Sequence, residues 1–248
     1  MKFGLKIWSS NYSCIGEIKK AITDNLFQYV ELMVVPGIDV KPFAEVKIPY
    51  AVHVPHIDFG FNMADKSKEQ FNISVIKECV NAADILSAKY IVVHPGWGNI
   101  DGSLDFFNRD KDRRMIIENV PKVYKGREAV CSTPEEMKIF ISHGAGFCLD
   151  FGHALAAAKS LGKNWKSFVR QFFKMNPLTV HISDGITDDE KDDHMNIGEG
   201  DYDLAFLAKY VKKSNPKYVL LETPRNNLAS FEEDVNNLIE LKKWIGEY

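Results

Sequence analysis

Short apolar runs alternate with longer amphipathic stretches along the whole chain. Between the apolar runs, hydrophobic residues recur at helical spacing, as in Lys66–Ser87 and in the closing stretch Phe231–Ile245. Strands that alternate with helices predict a parallel sheet with helical crossovers. The eight predicted strands are Phe3–Ile7, Tyr29–Val35, Tyr50–Val54, Tyr90–His94, Met115–Glu118, Phe147–Phe151, Leu178–Ser183 and Tyr218–Glu222.

Local signals support these elements and mark two unusual connections. The segment Ser132-Thr133-Pro134-Glu135-Glu136 places a capping hydroxyl before a proline that suits the first helical turn, and Ser230 precedes the closing helix. The connections Pro36–Lys47 and Asn99–Arg113 are short for a full helix with two loops. We therefore expect reduced helices in both.

Length and composition favour a single α/β domain. The chain has 248 residues, and a (β/α)₈ TIM barrel commonly takes about 250. Hydrophobic residues make up 45% and charged residues 26%, which is typical of a folded globular protein. No composition shift, repeat or low-complexity tract marks a linker. The sequence therefore predicts one TIM-barrel domain over residues 1–248.

Charge and cysteine usage limit the possible settings of the protein. The net charge of -3 gives no general attraction for nucleic acid. The four cysteines are scattered without a CxxC pair, and the first residues contain no apolar signal segment. No stretch approaches the roughly 20 apolar residues that cross a bilayer. We expect a cytoplasmic protein with no membrane partner, and no oligomeric state is predicted.

Metal-capable side chains follow the apolar runs. Since the carboxyl ends of parallel barrel strands meet at one mouth, residues far apart in sequence can converge on one site. Any one of them is better explained as a polar strand end bonded to a loop, but that explanation weakens for the set. The nine candidate metal ligands are His53, His94, Glu118, Asp150, His153, His181, Asp192, His194 and Glu222.

The residue types in this set indicate the kind of metal site. Imidazoles and carboxylates suit zinc, manganese or iron, and the absence of cysteine argues against a structural thiolate zinc site. Carboxylates that bridge two ions fit a multinuclear catalytic centre, which can generate hydroxide and stabilise a leaving oxygen. The site is therefore predicted to be catalytic.

The same residues lie in strings that resemble the xylose isomerase-like barrel superfamily, and within it most closely the endonuclease IV family. The resemblance runs from the third predicted strand to the eighth. It implies a TIM barrel with a trinuclear zinc centre that cleaves the DNA backbone on the 5′ side of an abasic site. The strings are HVPH at 53–56, HPGWG at 94–98, IEN at 117–119, CLDFGHA at 148–154, VHISD at 180–184, DDHMNIGEG at 192–200 and LETP at 221–224.

Carried over by position, the resemblance divides the nine residues among three ions. His53 and His94 would hold a first ion that shares Glu118 with a second. Asp150, His181 and Glu222 would complete the shell of the second ion. The third ion would be held by His153, Asp192 and His194.

The chain also departs from the endonuclease IV pattern. His56 stands where that family normally has Tyr, and Asn119-Val120-Pro121-Lys122 replaces a Gly-rich segment. The loop after the second strand, 34–40, carries none of the Arg and Gln side chains that usually enter the duplex.

A sugar or sugar-phosphate isomerase or epimerase of the same superfamily is the alternative. Such enzymes resemble this chain in the quartet Glu118, Asp150, His181 and Glu222 around one divalent ion, with manganese or another metal in place of zinc. Glu118 and Glu222 would then move a proton between adjacent carbons. The substrate is accordingly predicted to be DNA with an abasic site or a small sugar phosphate. A third hypothesis, a barrel that only binds its ligand, is disfavoured because every ligand position is filled.

Other residues near the predicted strand ends are candidate substrate contacts. His56, Trp97 and Arg225 lie in strand-end loops and are assigned to substrate binding, although Trp97 could instead cover the barrel rim and Arg225 could lie at the surface. If the mid-strand Glu31 points inward, it needs a partner such as Lys6.

Overall fold

The computed structural model describes residues 1–228 and 230–246, and eight parallel strands within them close into a barrel. The predicted (β/α)₈ barrel is confirmed, and the eight predicted strands shift by only one or two residues at their ends. In the barrel the order is β1-β2-β3-β4-β5-β8-β9-β10, and β10 pairs with β1. The barrel strands are β1 Lys2–Trp8, β2 Tyr29–Met33, β3 Tyr50–His53, β4 Ile91–Val93, β5 Met115–Glu118, β8 Gly146–Asp150, β9 Thr179–Ile182 and β10 Tyr218–Leu221.

Helices cover the outside of the barrel, and a short antiparallel hairpin follows β5. The hairpin strands are β6 Val123–Tyr124 and β7 Arg127–Glu128. Within residues 1–228 and 230–246, no helix has the length and apolar character needed to cross a membrane. The helices are α1 Ile15–Thr23, α2 Lys41–Ala44, α3 Glu69–Ile85, α4 Ile100–Asp110, α5 Pro134–Ser142, α6 Phe151–Ser160, α7 Trp165–Phe173, α8 Leu204–Ser214 and α9 Glu232–Ile245.

The two short connections differ in the length of the helix that each contains. The reduced helix expected after the second strand is confirmed, because α2 has only four residues. The reduced helix expected in Asn99–Arg113 is wrong, because α4 has 11 residues. The Asn99 side chain caps this helix by accepting from the backbone N–H of Asp101, and the chain re-enters a strand at Met115. Short loops, not a short helix, account for the length of this connection.

Both predicted helix starts are found. Thr133 caps α5 in a capping box, in which its hydroxyl accepts from the Glu136 N–H and the Glu136 carboxylate accepts from the Thr133 N–H. At the start of α9, the Ser230 hydroxyl accepts from the Glu232 N–H at 3.2 Å. These bonds satisfy backbone donors that the first turn leaves without partners.

Aromatic rings fill the bottom of the barrel interior. The ring centroids of Tyr29 and Tyr90 each lie 5.0 Å from that of Tyr218. Gly4 makes room for them, since a Cβ atom there would lie 2.2 Å from Cζ of Tyr29. The barrel is therefore closed at its amino-terminal end, and only the opposite mouth is available for a site.

A charged layer lies directly above these tyrosines. The predicted pairing of Lys6 with Glu31 is confirmed, with Nζ 2.8 Å from Oε1, and the same ammonium lies 2.7 Å from Glu222. Tyr90 donates its hydroxyl to Glu31 at 3.1 Å. Burial opposes ionisation of Glu31, but Lys6 and His181 outweigh it and lower the pKa of Glu31 to about 2. Glu31 is therefore a buried anion with its charge compensated.

Candidate metal centre

All nine predicted metal ligands meet at the carboxyl-terminal mouth of the barrel. His53, Glu118 and Asp150 are the last residues of β3, β5 and β8, and Glu222 follows β10. The other five are supplied by the loop after β4, the first turn of α6, strand β9 and the loop between β9 and α8: His94, His153, His181, Asp192 and His194.

Three groups of these nine residues have ligand atoms that all lie within 4.8 Å of one another, and two further groups that meet the same distance include Glu31 or Cys148. The first group is His53, His94 and Glu118, and the third is His153, Asp192 and His194. The second contains Glu118, Asp150, His181 and Glu222. These groups match the division among three ions that the sequence resemblance implied.

Glu118 lies at the junction of two groups. Its Oε2 is 3.1 Å from Nε2 of His53 and 3.0 Å from Nε2 of His94. Its Oε1 faces the other way, 3.2 Å from Nδ1 of His181. The carboxylate is fully buried, so each oxygen has a separate set of imidazole neighbours and no contact with solvent.

Several buried atoms in the cluster lack a hydrogen bond of normal geometry, even where another polar atom is close. They belong to described residues, and buried polar atoms of this kind are normally satisfied. Oδ2 of Asp192 lies 2.6 Å from Nε2 of His194 without forming such a bond. Lone pairs that converge without pairing fit ligation of cations, and the donor set matches zinc or manganese. The atoms are His94 Nδ1, Glu118 Oε1, His181 Nδ1 and both Asp192 carboxylate oxygens.

Three histidines are oriented by backbone carbonyl groups. Nδ1 of His53 lies 2.7 Å from the Val54 oxygen, and Nδ1 of His194 lies 2.7 Å from the Glu222 oxygen. Nδ1 of His153 lies 2.9 Å from the Asn119 oxygen. Donation from Nδ1 leaves the lone pair of Nε2 directed into the cavity, which is how metal-bound histidines are commonly held.

His181 has the reverse orientation, and its partner is a residue whose role the sequence did not reveal. Its Nδ1 faces Glu118 and Glu222, whereas its Nε2 lies 3.3 Å from the Glu31 carboxylate. Sequence reasoning considered Glu31 only as a partner for Lys6. The sequence signal for this role was an acidic residue in the middle of an otherwise apolar strand. Strand periodicity does not show which histidine such a residue orients.

Asn119 is a second orienting residue, and the sequence analysis assigned it no role. Its side-chain amide accepts from the Asp150 N–H at 2.8 Å and donates to the Asp150 carbonyl at 2.9 Å. Asp150 in turn caps α6 by accepting from the His153 N–H at 2.7 Å. One asparagine therefore positions the ends of two strands and, through its carbonyl, the ring of His153.

Hydrogen bonds to Asp184 hold the loop that carries Asp192 and His194 in place. The Asp184 carboxylate accepts from the backbone N–H groups of Gly185, Gly198 and Tyr202. A Cβ at Gly152 would lie 2.5 Å from Oδ1 of Asp192, so a side chain there would displace this carboxylate. His194 has a left-handed backbone with φ of 47°, a conformation costly for this residue type that the surrounding contacts hold in place.

The electrostatics differ across the cluster. Burial opposes ionisation of Glu118, but His181 and His94 hold the pKa of Glu118 well below its usual range. Burial raises the pKa of Asp150 to about 7 despite the attraction of His153. Burial disfavours a charged His194, but Asp192 outweighs it and raises the pKa of His194 to about 9. Without metal, the site therefore holds protons at neutral pH that a cation must displace.

Two cavities open from the cluster, and the predicted substrate contacts line them. The first, of about 570 Å³, is bordered by His56, Arg225 and the exposed Trp8. The Arg225 guanidinium pairs with Asp234 at 2.6 Å and donates to the Lys6 carbonyl, so it also fixes the chain beside Glu222. The sequence analysis did not single out Trp8, which is the last residue of β1 and carries no distinguishing motif.

The second cavity, of about 520 Å³, lies beside the first, and His56 and His94 line both. Trp97 is buried in its wall, so the indole is placed to contact a ligand. Burial and the neighbouring His94 and His53 lower the pKa of His56 to about 4, which leaves this ring neutral at neutral pH.

A closed eight-stranded barrel with histidines and carboxylates converging at its mouth defines a class of metal-binding TIM barrels. The family model described as xylose isomerase-like TIM barrel matches residues 41–246. The chain belongs to this family.

The similar proteins and structures carry two kinds of name. A protein named probable endonuclease 4, from Metamycoplasma arthritidis, is 28% identical over 76% of this chain and 75% of its own length. The crystal structure of endonuclease IV from Thermus thermophilus superposes with a TM-score of 0.75 at 18% identity, covering 100% of both chains. That of a D-tagatose 3-epimerase-like protein superposes with a TM-score of 0.74 at 19% identity, covering 100% of this chain and 99% of the other.

Proposed function

We propose that this chain is a metal-dependent phosphodiester hydrolase of the endonuclease IV type, which cleaves DNA at abasic sites with a zinc centre of three ions. The observation that carries the proposal is the presence of three separate ligand groups, two of which share Glu118. A mononuclear sugar isomerase needs only the second group. His53, His94, Asp192 and His194 have no ligand role in that reaction, yet all four lie in the cluster.

Each group of residues has a distinct part in this proposal. His53, His94 and Glu118 hold the first ion, and Asp150, His181 and Glu222 join Glu118 around the second. Bound divalent ions of this kind supply a hydroxide nucleophile at neutral pH and neutralise charge on a leaving oxygen. The third ion is held by His153, Asp192 and His194.

The protein itself supplies orientation and charge balance. Five acidic side chains, Glu31, Glu118, Asp150, Asp192 and Glu222, lie in or directly beneath the cluster, and Lys6 pairs with only two of them. The remaining negative charge favours cations, and the histidines held by carbonyl groups complete the ligand set once a cation displaces their protons. His56 and Trp97 border the cavities and are proposed to contact the nucleic acid. We also propose that Arg225 contacts substrate beside its pair with Asp234.

The second candidate function is a divalent-metal-dependent sugar or sugar-phosphate isomerase or epimerase. The observation that favours it is that Glu118, Asp150, His181 and Glu222 form one group by themselves. In that reaction Glu118 and Glu222 would transfer the proton. Lys6 and His181 outweigh burial and hold the pKa of Glu222 well below its usual range in the metal-free protein.

Metal analysis combined with two assays tests the proposal. Purified protein should contain more than two ions per chain and should incise an abasic-site duplex but not convert ketoses or ketose phosphates. His94→Ala should lose incision together with one ion, whereas the exposed His143→Ala should retain both. A protein with a single manganese-like ion that converts a ketose would reject the hydrolase in favour of the isomerase.

A further inference from the structure

The hairpin of β6 and β7 forms a roof over one side of the barrel mouth. Tyr124 donates its hydroxyl to Oδ2 of Asp58 at 2.7 Å, and the Lys125 ammonium pairs with the other oxygen of the same carboxylate. Asp58 lies in the short helical turn that follows β3. The loops after β3 and β5 are therefore joined across the mouth.

The returning strand of the hairpin is fixed to the loop after β4. The Gly98 N–H donates to the Glu128 carbonyl at 3.0 Å, and the Val130 N–H donates to the Gly96 carbonyl at 2.9 Å. Gly96 has φ of 100°, and a Cβ there would lie 2.1 Å from Oδ1 of Asn62. These contacts make the roof part of a fixed wall.

Beneath this roof lies the cavity of about 520 Å³, which we term the hairpin cavity. Its far wall is part of the ligand cluster, since His94, His153, Asp192 and His194 border it. Its volume lies within the range of small-molecule sites. The other wall is mainly apolar, and the cavity lining also includes His56, Lys125, Glu190 and Lys191. The apolar wall residues are Ile57, Trp97, Val120, Pro121, Val123 and Tyr124.

Two features of this wall indicate a planar ligand. The rings of Trp97 and Tyr124 lie with their centroids 5.6 Å apart, and Val123 is 39% exposed although it is apolar. A ligand with a flat apolar face would stack on these rings and cover Val123.

Resting on the proposed function, we propose that the hairpin cavity binds the nucleobase of a nucleotide whose phosphate reaches the metal-ligand cluster. For DNA with an abasic site, this is the base of the nucleotide next to the lesion. Tyr124 and Trp97 supply the stacking surface for the base. A sugar phosphate without a base would leave this wall uncovered, so Tyr124 determines specificity for nucleotides.

Isothermal titration of the zinc-loaded protein with deoxyadenosine monophosphate and with deoxyribose 5-phosphate tests this assignment. Stacking on an aromatic side chain contributes enough that the nucleotide should bind about tenfold more tightly or better. Tyr124→Ala should remove most of this advantage without changing the affinity for deoxyribose 5-phosphate. Tyr124→Phe keeps the ring and should retain the preference.

Matched measurements separate this assignment from the proposed function. Tyr12→Ala is the control, because Tyr12 is an exposed tyrosine outside the hairpin cavity. Zinc content, measured for every variant, should equal that of the unaltered protein. Equal affinity for the two ligands, binding of neither, or a preference unchanged in Tyr124→Ala would overturn the nucleobase assignment. Failure of the incision assay alone would reject the hydrolase and leave the nucleotide preference measurable.

Discussion

The inner and outer parts of the ligand cluster are built in different ways. The inner part, Glu118, Asp150, His181 and Glu222, lies on strands or directly after them, and His181 and Glu118 are fully buried. The outer part, His153, Asp192 and His194, lies on a helix turn and a loop, and the His194 side chain is 40% exposed.

The inner and outer parts differ in the contacts that hold them in place. Barrel hydrogen bonding fixes the inner residues whether or not metal is bound, and Lys6 compensates part of their charge. The outer residues depend on Asp184, Gly152 and the strained backbone of His194. An inner site of this kind serves either proposed reaction, whereas the outer group is of use only to a multinuclear centre. The predictions below separate the two parts.

Glu118→Gln should give the largest effect, because it disrupts the first and second groups together. The amide keeps the shape of the side chain but loses the charge that both groups share. We expect turnover to fall by on the order of a thousandfold or more, with loss of two ions in elemental analysis. Glu17→Gln, an exposed position on α1, is the control. Full metal content in Glu118→Gln would contradict the shared role.

Lys6→Met should destabilise the metal-free protein through the inner part alone. The substitution leaves Glu31 and Glu222 without their ammonium partner, and removing one member of a buried ion pair typically costs about 3 kcal/mol or more. Urea unfolding of metal-free protein measures this loss. Saturating zinc should restore part of the stability, because ions then compensate Glu222. An unchanged unfolding midpoint would contradict the charge balance proposed for the inner part.

Gly152→Ala should affect the outer part selectively. The added Cβ would lie 2.5 Å from Oδ1 of Asp192, so this ligand must move. Displacement of such groups typically reduces metal affinity about 10- to 100-fold, and one zinc ion should dissociate on dilution while two remain. Gly16→Ala is the matched helical control, because nothing lies within 4 Å of its added Cβ. Retention of every ion by Gly152→Ala would show that the outer group tolerates the shift.

Zinc affinity should rise with pH, and more so for the outer part. The pKa values of Asp150, about 7, and of His194, about 9, both exceed those of the unfolded chain. Protonation of both groups therefore stabilises the metal-free protein at low pH, and this stability is lost as pH rises through those values. Zinc titrations between about pH 6 and about pH 8 should show proton release that His194→Ala reduces. A pH-independent affinity would contradict this description.

Much of the fold could be predicted from sequence because the signals were local. Most barrel strands are apolar runs that end in a polar residue, such as His53 or Glu118, or are followed by one, and this pattern identifies them. Asn99–Arg113 was misjudged because connection length does not distinguish a short helix from short loops. The start of α4 at Ile100 depends on the Asn99 cap.

The candidate ligands could be predicted from the sequence, but the residues that orient them could not. Strand-end histidines and acids converge because the barrel requires it, and the family resemblance divided them into the groups that the structure contains. Glu31 and Asn119 act through contacts with residues far away in the sequence. Glu31 and His181, for example, are 150 positions apart. The hairpin cavity is lined by segments that follow five different strands, β3, β4, β5, β8 and β9, so no local pattern marks it.

Anomalous diffraction at the zinc edge from crystals of the zinc-loaded protein tests the central claim most directly. Three peaks are predicted, one in each ligand group, with Glu118 bridging the first and second. A single peak among Glu118, Asp150, His181 and Glu222, with none at His153, Asp192 and His194, would contradict the trinuclear centre.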